Sequence, residues 1–153
     1  MRGRTGGQAD RRTAVAVLFV VAIGCARPSA PPNEVTVRGA RAFEARVGAT
    51  AAAYATIING TDSAEVLDSV TTLVARFASL HAQREQGGFV TMTPLARPTI
   101  PPHDSLVLRP GGDHLMLEGV DRTLAAGDEV PLVFWFHHAG RIEVVANVSA
   151  YGS

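Results

Sequence analysis

Two imidazoles and two thioethers, His81, Met92, His114 and Met116, are the side chains best suited to chemistry in this sequence. Ten residues separate His81 from Met92, twenty-one separate Met92 from His114, and one separates His114 from Met116. Apart from Met1 these are the only methionines. A core in need of flexible bulk would use Met interchangeably with the Val, Leu, Ile and Ala that fill the apolar runs here. Imidazole nitrogen and thioether sulfur form a soft donor set that prefers Cu(I) to hard cations. The four are therefore expected to hold one Cu(I). Thioethers need no deprotonation and form no disulfides, which suits an oxidising extracytoplasmic space. The single cysteine, Cys25, follows an N-terminal apolar run, so a blue-copper centre, which needs a Cys ligand, is excluded. Thioether ligation fits neither a structural nor a catalytic zinc site.

Such a site requires elements that bring distant residues together. From about Glu34 onward, short β-branched or alternating runs are separated by Gly, Pro, Asn and Asp. They predict strands over 35–38, 52–58, 66–72, 75–83, 89–94, 105–108, 115–117, 130–137 and 141–149. No segment sustains the period of 3.6 that an amphipathic helix needs. Seven to nine short antiparallel strands at this spacing predict an all-β sandwich or barrel. In the last strand Ile142, Val144, Ala146 and Val148 are expected inward, and Arg141, Glu143, Val145 and Asn147 outward. Trp135, among Val133, Phe134 and Phe136, is expected in the core.

Two local geometries pair the ligands. His114 and Met116, two apart on a strand, share a face at roughly 6.6 Å between Cα atoms, while Leu115 and Leu117 face the core. Pro110-Gly111-Gly112-Asp113 is the turn that delivers them. A hairpin turn centred on Gln86-Gly87 would set His81 directly opposite Met92, with Cβ atoms about 4.5–5.5 Å apart. A slip of one residue would send the two to opposite faces. The expected outcome is a four-ligand or three-plus-one site at one end of the sandwich. His103 is expected to be exposed, and His137 and His138, before Gly140, are read as solvent-facing rather than as a secondary metal contact.

The N-terminus reads as an export signal. Arg2, Arg4, Arg11 and Arg12 precede an apolar run from Ala14 to Ile23, too short to span a bilayer but suited to a signal-peptide core. Ala22-Ile23-Gly24-Cys25 resembles a bacterial lipobox, which implies a lipidated Cys25 at the mature terminus. The expected organisation is a signal peptide at 1–24, an anchor and Pro-rich spacer at 25–33, and a copper-binding domain at 34–153. Without residues 1–24 the chain carries ten Arg, no Lys and thirteen acids, a net charge of −3. A mildly acidic domain without basic clusters argues against nucleic acid as a partner. It also argues against an anionic membrane surface, so membrane contact is expected only through the anchor.

The spacing His-x10-Met-x21-His-x-Met, with Pro-Gly-Gly-x-His-Leu-Met over Pro110–Met116, resembles the periplasmic copper chaperones of the PCuAC family. Ala53-Tyr54, Ile57-x-Asn59, Gly127-Asp128-x-Val130-Pro131-Leu132 and Phe136-x-x-Ala139-Gly140 extend the likeness from about Val35 to Val148. The resemblance implies a cupredoxin-like Greek-key β-sandwich that binds Cu(I) through His81, Met92, His114 and Met116. It also implies copper supply for the binuclear copper centre of cytochrome c oxidase, delivered to the oxidase copper subunit or to a Sco-type chaperone. Where members often carry Glu-Leu-His, this chain reads Ser79-Leu80-His81, and Arg41 stands where a Trp is common. The His- and Met-rich tail of some members has no counterpart, so a second copper site is not expected.

Three functions compete. A Cu(I) carrier needs partly exposed methionines for release and is expected to act as a monomer. A metal-free β-sandwich lipoprotein for adhesion or envelope assembly would leave the His/Met spacing without a role. An enzyme is not expected, since no Ser/His/Asp set, paired carboxylates or phosphate-binding Gly loop is present.

Overall fold

Alternation of apolar and polar side chains decides which face of each strand is buried. The computed structural model describes residues 33–151. The signal, the lipobox and nearly all of the spacer lie outside the described residues. In chain order the strands are β1 (Val35–Phe43), β2 (Ala51–Asn59), β3 (Glu65–Thr72), β4 (Ala75–Gln86) and β5 (Phe89–Pro94). They continue as β6 (Thr99–Ile100), β7 (Ser105–Val107), β8 (His114–Val120), β9 (Glu129–Phe136) and β10 (Gly140–Ser149). Nine match the expected runs. The tenth, β6, has two residues and pairs only with Glu65 and Val66, too short to leave a pattern in sequence.

The hydrogen-bonded order is β5-β4-β8-β2-β1-β10-β9-β3-β6, with β7 also on β2. The path folds over one core. Leu80, Leu115, Leu117 and Ile57 from β4, β8 and β2 pack in the same cluster as Leu67, Leu132, Phe134 and Val148 from β3, β9 and β10. Burying each such side chain stabilises the fold by about 1.5–3 kcal/mol. Strand β1 joins the two halves. It runs antiparallel to β2 but parallel to β10, where a wholly antiparallel sandwich was expected. A bulge between Arg38 and Arg41, with Gly39 at φ +61°, lets β1 turn from one layer to the other. The bulge also hid the second half of this strand from the alternation pattern.

The inward and outward residues of β10 follow the expected alternation. Trp135 does not sit in the core. On β9, Val130, Leu132, Phe134 and Phe136 take the inner face, so Trp135 falls on the outer one and is 39% exposed. There its Nε1–H donates to Thr71 Oγ1 at 3.1 Å, and the Arg141 guanidinium lies 5.9 Å from its ring centroid. Buried Asn59 ties the β2 end to the loop before β7. Its amide donates to the carbonyls of Ser63, Ile100 and Pro101, and Oδ1 accepts from Thr61 N and Oγ1.

Candidate metal centre

The outer face of β4, β5 and β8 gathers the chemistry-bearing side chains. On β4 the inner face holds Ala78, Leu80 and Ala82 and the outer face Phe77, Ser79, His81 and Gln83. In the β4–β8 pairing His81 opposes His114, Ser79 opposes Met116, and Phe77 opposes Glu118. The two imidazole rings lie 6.1 Å apart between centroids, with planes 26° from parallel. A metal held at about 2.0–2.1 Å by one nitrogen of each ring would keep the centroids within about 6 Å. The pair is thus in range for shared coordination after little adjustment.

His114 is the most constrained of the four, 6% exposed at the start of β8. Its Nδ1 lies 2.9 Å from the carbonyl oxygen of Gly112. A carbonyl only accepts, so Nδ1 carries a hydrogen, and in the neutral ring Nε2 is then the nitrogen with the free lone pair. The Gly-Gly turn makes this possible. Gly111 adopts φ +72°, Gly112 N–H donates to Arg109 O, and Arg109 N–H donates to Asp113 O. Arg84 of β4 clamps the turn from the side through Asp113 at 2.6 Å. Met116, two residues on, shares the outer face and is half-buried, while Leu115 and Leu117 are fully buried as expected.

The hairpin corrects the expected pairing of His81 with Met92. The two-residue turn is Gly87-Gly88, at φ +60° and +80°, and Gln86 pairs with Phe89. Only adjacent glycines accept both left-handed positions without a Cβ penalty, so the turn settles there rather than on Gln86-Gly87. Met92 therefore opposes Gln83, and His81 opposes Pro94. The shift is by two residues, so side-chain parity is preserved and Met92 stays on the His81 face. It becomes a diagonal neighbour, at a separation of about 7–8 Å. On edge strand β5 it is 54% exposed. The structure thus places His81, His114 and Met116 on adjoining rows of two paired strands, with Met92 one strand further out.

Two residues beside this set were given no role in the site from sequence. Ser79 Oγ lies 3.0 Å from His81 Nε2 and donates to Glu118 Oε1 at 2.7 Å. Their positions, two before His81 and two after Met116 on the same face, were the available signal. Among the described residues no group of three or more His, Cys, Asp or Glu could hold a metal ion. A metal on this face would therefore need the thioethers to complete its coordination.

The other histidines are apart from this face. His103 is exposed, with Nε2 2.9 Å from Asp62 Oδ1. His137 and His138 are exposed in the β9–β10 turn, as expected, with rings 4.7 Å apart. His137 Nδ1 is 3.7 Å from Asp68, and His138 caps Glu65. Burial pushes the Glu65 carboxyl up, but N–H groups of His138, Val66 and Ala139 and the His138 ring outweigh it and hold it below the ordinary Glu range.

The family described as "Putative lipoprotein LpqE-like" matches residues 35–148. No curated protein matches the sequence significantly. Among solved structures, the copper-bound PCuAC domain from PmoF2 superposes with a TM-score of 0.65 at 19% identity, covering 76% of this chain and 93% of that one. The Cu(I) form of DR1885 from Deinococcus radiodurans gives 0.59 at 28% identity, over 82% of this chain and 83% of that one. The apo form of DR1885 gives 0.56 at 27%, over 99% and 98%. The sandwich is of the cupredoxin-like type that the resemblance implied.

Proposed function

The chain belongs to the LpqE-like family of putative lipoproteins, of PCuAC type, and we propose on that footing that it is an extracytoplasmic copper carrier. One Cu(I) is held by His81, His114, Met116 and Met92 and passed to an acceptor protein by ligand exchange. The observation that carries this reading is the direct opposition of His81 and His114 on an outer sheet face that also holds both methionines. The copper-bound PCuAC domain and the Cu(I) form of DR1885 among the similar folds support it.

The four donors have graded access. His114 is buried and oriented by Gly112, so it anchors the ion. Met92 is exposed on the strand that ends the sheet order among the described residues, so it is the donor an incoming ligand displaces first. Thioether and imidazole are neutral donors of modest field, which favours Cu(I) over hard cations and permits release. The ion keeps its oxidation state throughout, so no electron donor is needed. Within this proposal Cys25 is the lipid-bearing residue after a signal at 1–24, and the spacer at 25–33 tethers the domain near membrane-bound acceptors. The acceptor is the oxidase copper subunit or a Sco-type chaperone, and the protein acts as a carrier, not a catalyst.

Cu(I) titration of the purified protein against a competing chelator tests the assignment. We expect one ion per chain, with weaker binding in Met116→Leu and Met92→Leu and the larger loss in Met116→Leu. If both variants bind like the wild type, the thioethers are not ligands and a metal-free envelope module becomes the better reading.

A further inference from the structure

The hydrogen bonds around Ser79 fix where one proton sits. A hydroxyl has a single hydrogen, and Ser79 gives it to Glu118 Oε1 at 2.7 Å. Ser79 Oγ, 3.0 Å from His81 Nε2, must then accept, so in the copper-free protein His81 carries its hydrogen on Nε2. His114 is the opposite case, with its hydrogen on Nδ1 and Nε2 bare. The two facing imidazoles therefore hold opposite tautomers.

The position of Ser79 gives this asymmetry a consequence. Ser79 opposes Met116 across the β4–β8 pair. The His81 nitrogen that turns toward the Met116 row is thus the one occupied by hydrogen and held by Ser79. To share an ion with Met116 and His114, that nitrogen must lose its hydrogen to Nδ1 and leave Ser79. The imidazole stays neutral throughout, and no net proton is released.

We propose that Ser79 and Glu118 form a latch that holds His81 in the tautomer unable to bind copper through Nε2, weakening the site so that it can release its ion. Neither residue touches the ion, and both act by positioning His81. This inference rests on the copper-carrier reading above. Opening the latch sacrifices one hydrogen bond, so its removal should tighten copper binding by about two- to tenfold.

The test uses the 15N-labelled protein near pH 8, where an ordinary imidazole is neutral, and long-range 1H–15N correlations that report the tautomer of each ring. In the copper-free wild type we expect His81 with hydrogen on Nε2 and His114 with hydrogen on Nδ1. Glu118→Ala frees the Ser79 hydroxyl to donate, so the His81 hydrogen should shift toward Nδ1, while His114 stays unchanged. Ser79→Ala should bind Cu(I) more tightly than the wild type under the same chelator, whereas in Glu118→Ala the freed hydroxyl still engages Nε2 as a donor and affinity should stay near that of the wild type. A His81 hydrogen on Nδ1 in the wild type, or weaker or unchanged copper affinity in Ser79→Ala, overturns the latch and leaves the carrier reading standing. A wild-type protein that takes up no Cu(I) overturns both.

Discussion

Replacing Glu65 by Gln keeps the side-chain shape and removes the charge, which isolates what the buried carboxylate does for the fold. The Glu65 side chain is 4% exposed and accepts four hydrogen bonds. Oε1 receives Val66 N–H at 2.8 Å, His138 N–H at 3.0 Å and the His138 ring at 3.3 Å, and Oε2 receives Ala139 N–H at 2.8 Å. In Gln the amide oxygen can keep the first three partners, but the NH2 group then faces Ala139 N–H donor to donor. The unsatisfied N–H and the lost charge assistance should cost about 1–3 kcal/mol. That is a shift on the order of 1 M in the urea midpoint for a domain of this size. The pH dependence has a definite sign. The Glu65 carboxyl is held below its ordinary value, so its contribution is full above that value, about 4.3, and is lost as pH falls through the lower folded value. The stability gap between wild type and Glu65→Gln should therefore be widest at pH 7 and narrow toward pH 3. Copper affinity should not change, because the β9–β10 turn is apart from the His81–His114 face. Urea titrations at several pH values check this. A gap that stays constant with pH, or a Gln variant as stable as wild type at pH 7, would mean that the buried charge contributes nothing to the fold.

Two further predictions separate faces and turns. Phe134→Ala should cost about 3–5 kcal/mol because its ring is fully buried. Trp135→Ala, next to it in sequence, should cost only about 1–2 kcal/mol, the worth of one hydrogen bond and an exposed cation–π contact. Equal losses in thermal or urea unfolding would put the Trp ring inside after all. Gly88→Ala meets no steric neighbour, so its cost comes from φ +80° alone, about 1–2 kcal/mol. That cost should appear as faster hydrogen exchange in the β4–β5 hairpin rather than in β9 and β10, and uniform acceleration across the sheet would contradict it.

Period-2 alternation made the fold legible because each strand has one face against the core. It told correctly for Ile142, Val144, Ala146 and Val148 and for Leu115 and Leu117. Trp135 was misplaced because residue type was weighed against the alternation of its own strand. With Phe134 and Phe136 inward, a Trp between them has to point out. The bulge at Gly39 broke the alternation of β1, and the two-residue β6 was too short to show any. Both are pairings that strands elsewhere in the chain impose, so local sequence carries little trace of them. Ser79, Glu118 and the carbonyl of Gly112 were equally hard to foresee, because their roles depend on which residues β4 and β8 set side by side.

The hairpin error shows why the candidate site was nonetheless readable. Placing the turn one residue early displaced the pairing by two, since each residue added to one arm is taken from the other. A displacement of two returns every side chain to its original face. The assignment of His81 and Met92 to a common face thus survives any misplacement of a two-residue turn. What such an error changes is distance: Met92 moves from direct opposition to the diagonal, toward the exposed end of the hairpin. Sequence therefore fixed the membership of the candidate face more firmly than its internal order. That order sets a buried His114 apart from an exposed Met92, which under the proposed carrier reading is the gradient from anchor to displaceable donor that a storage site would lack.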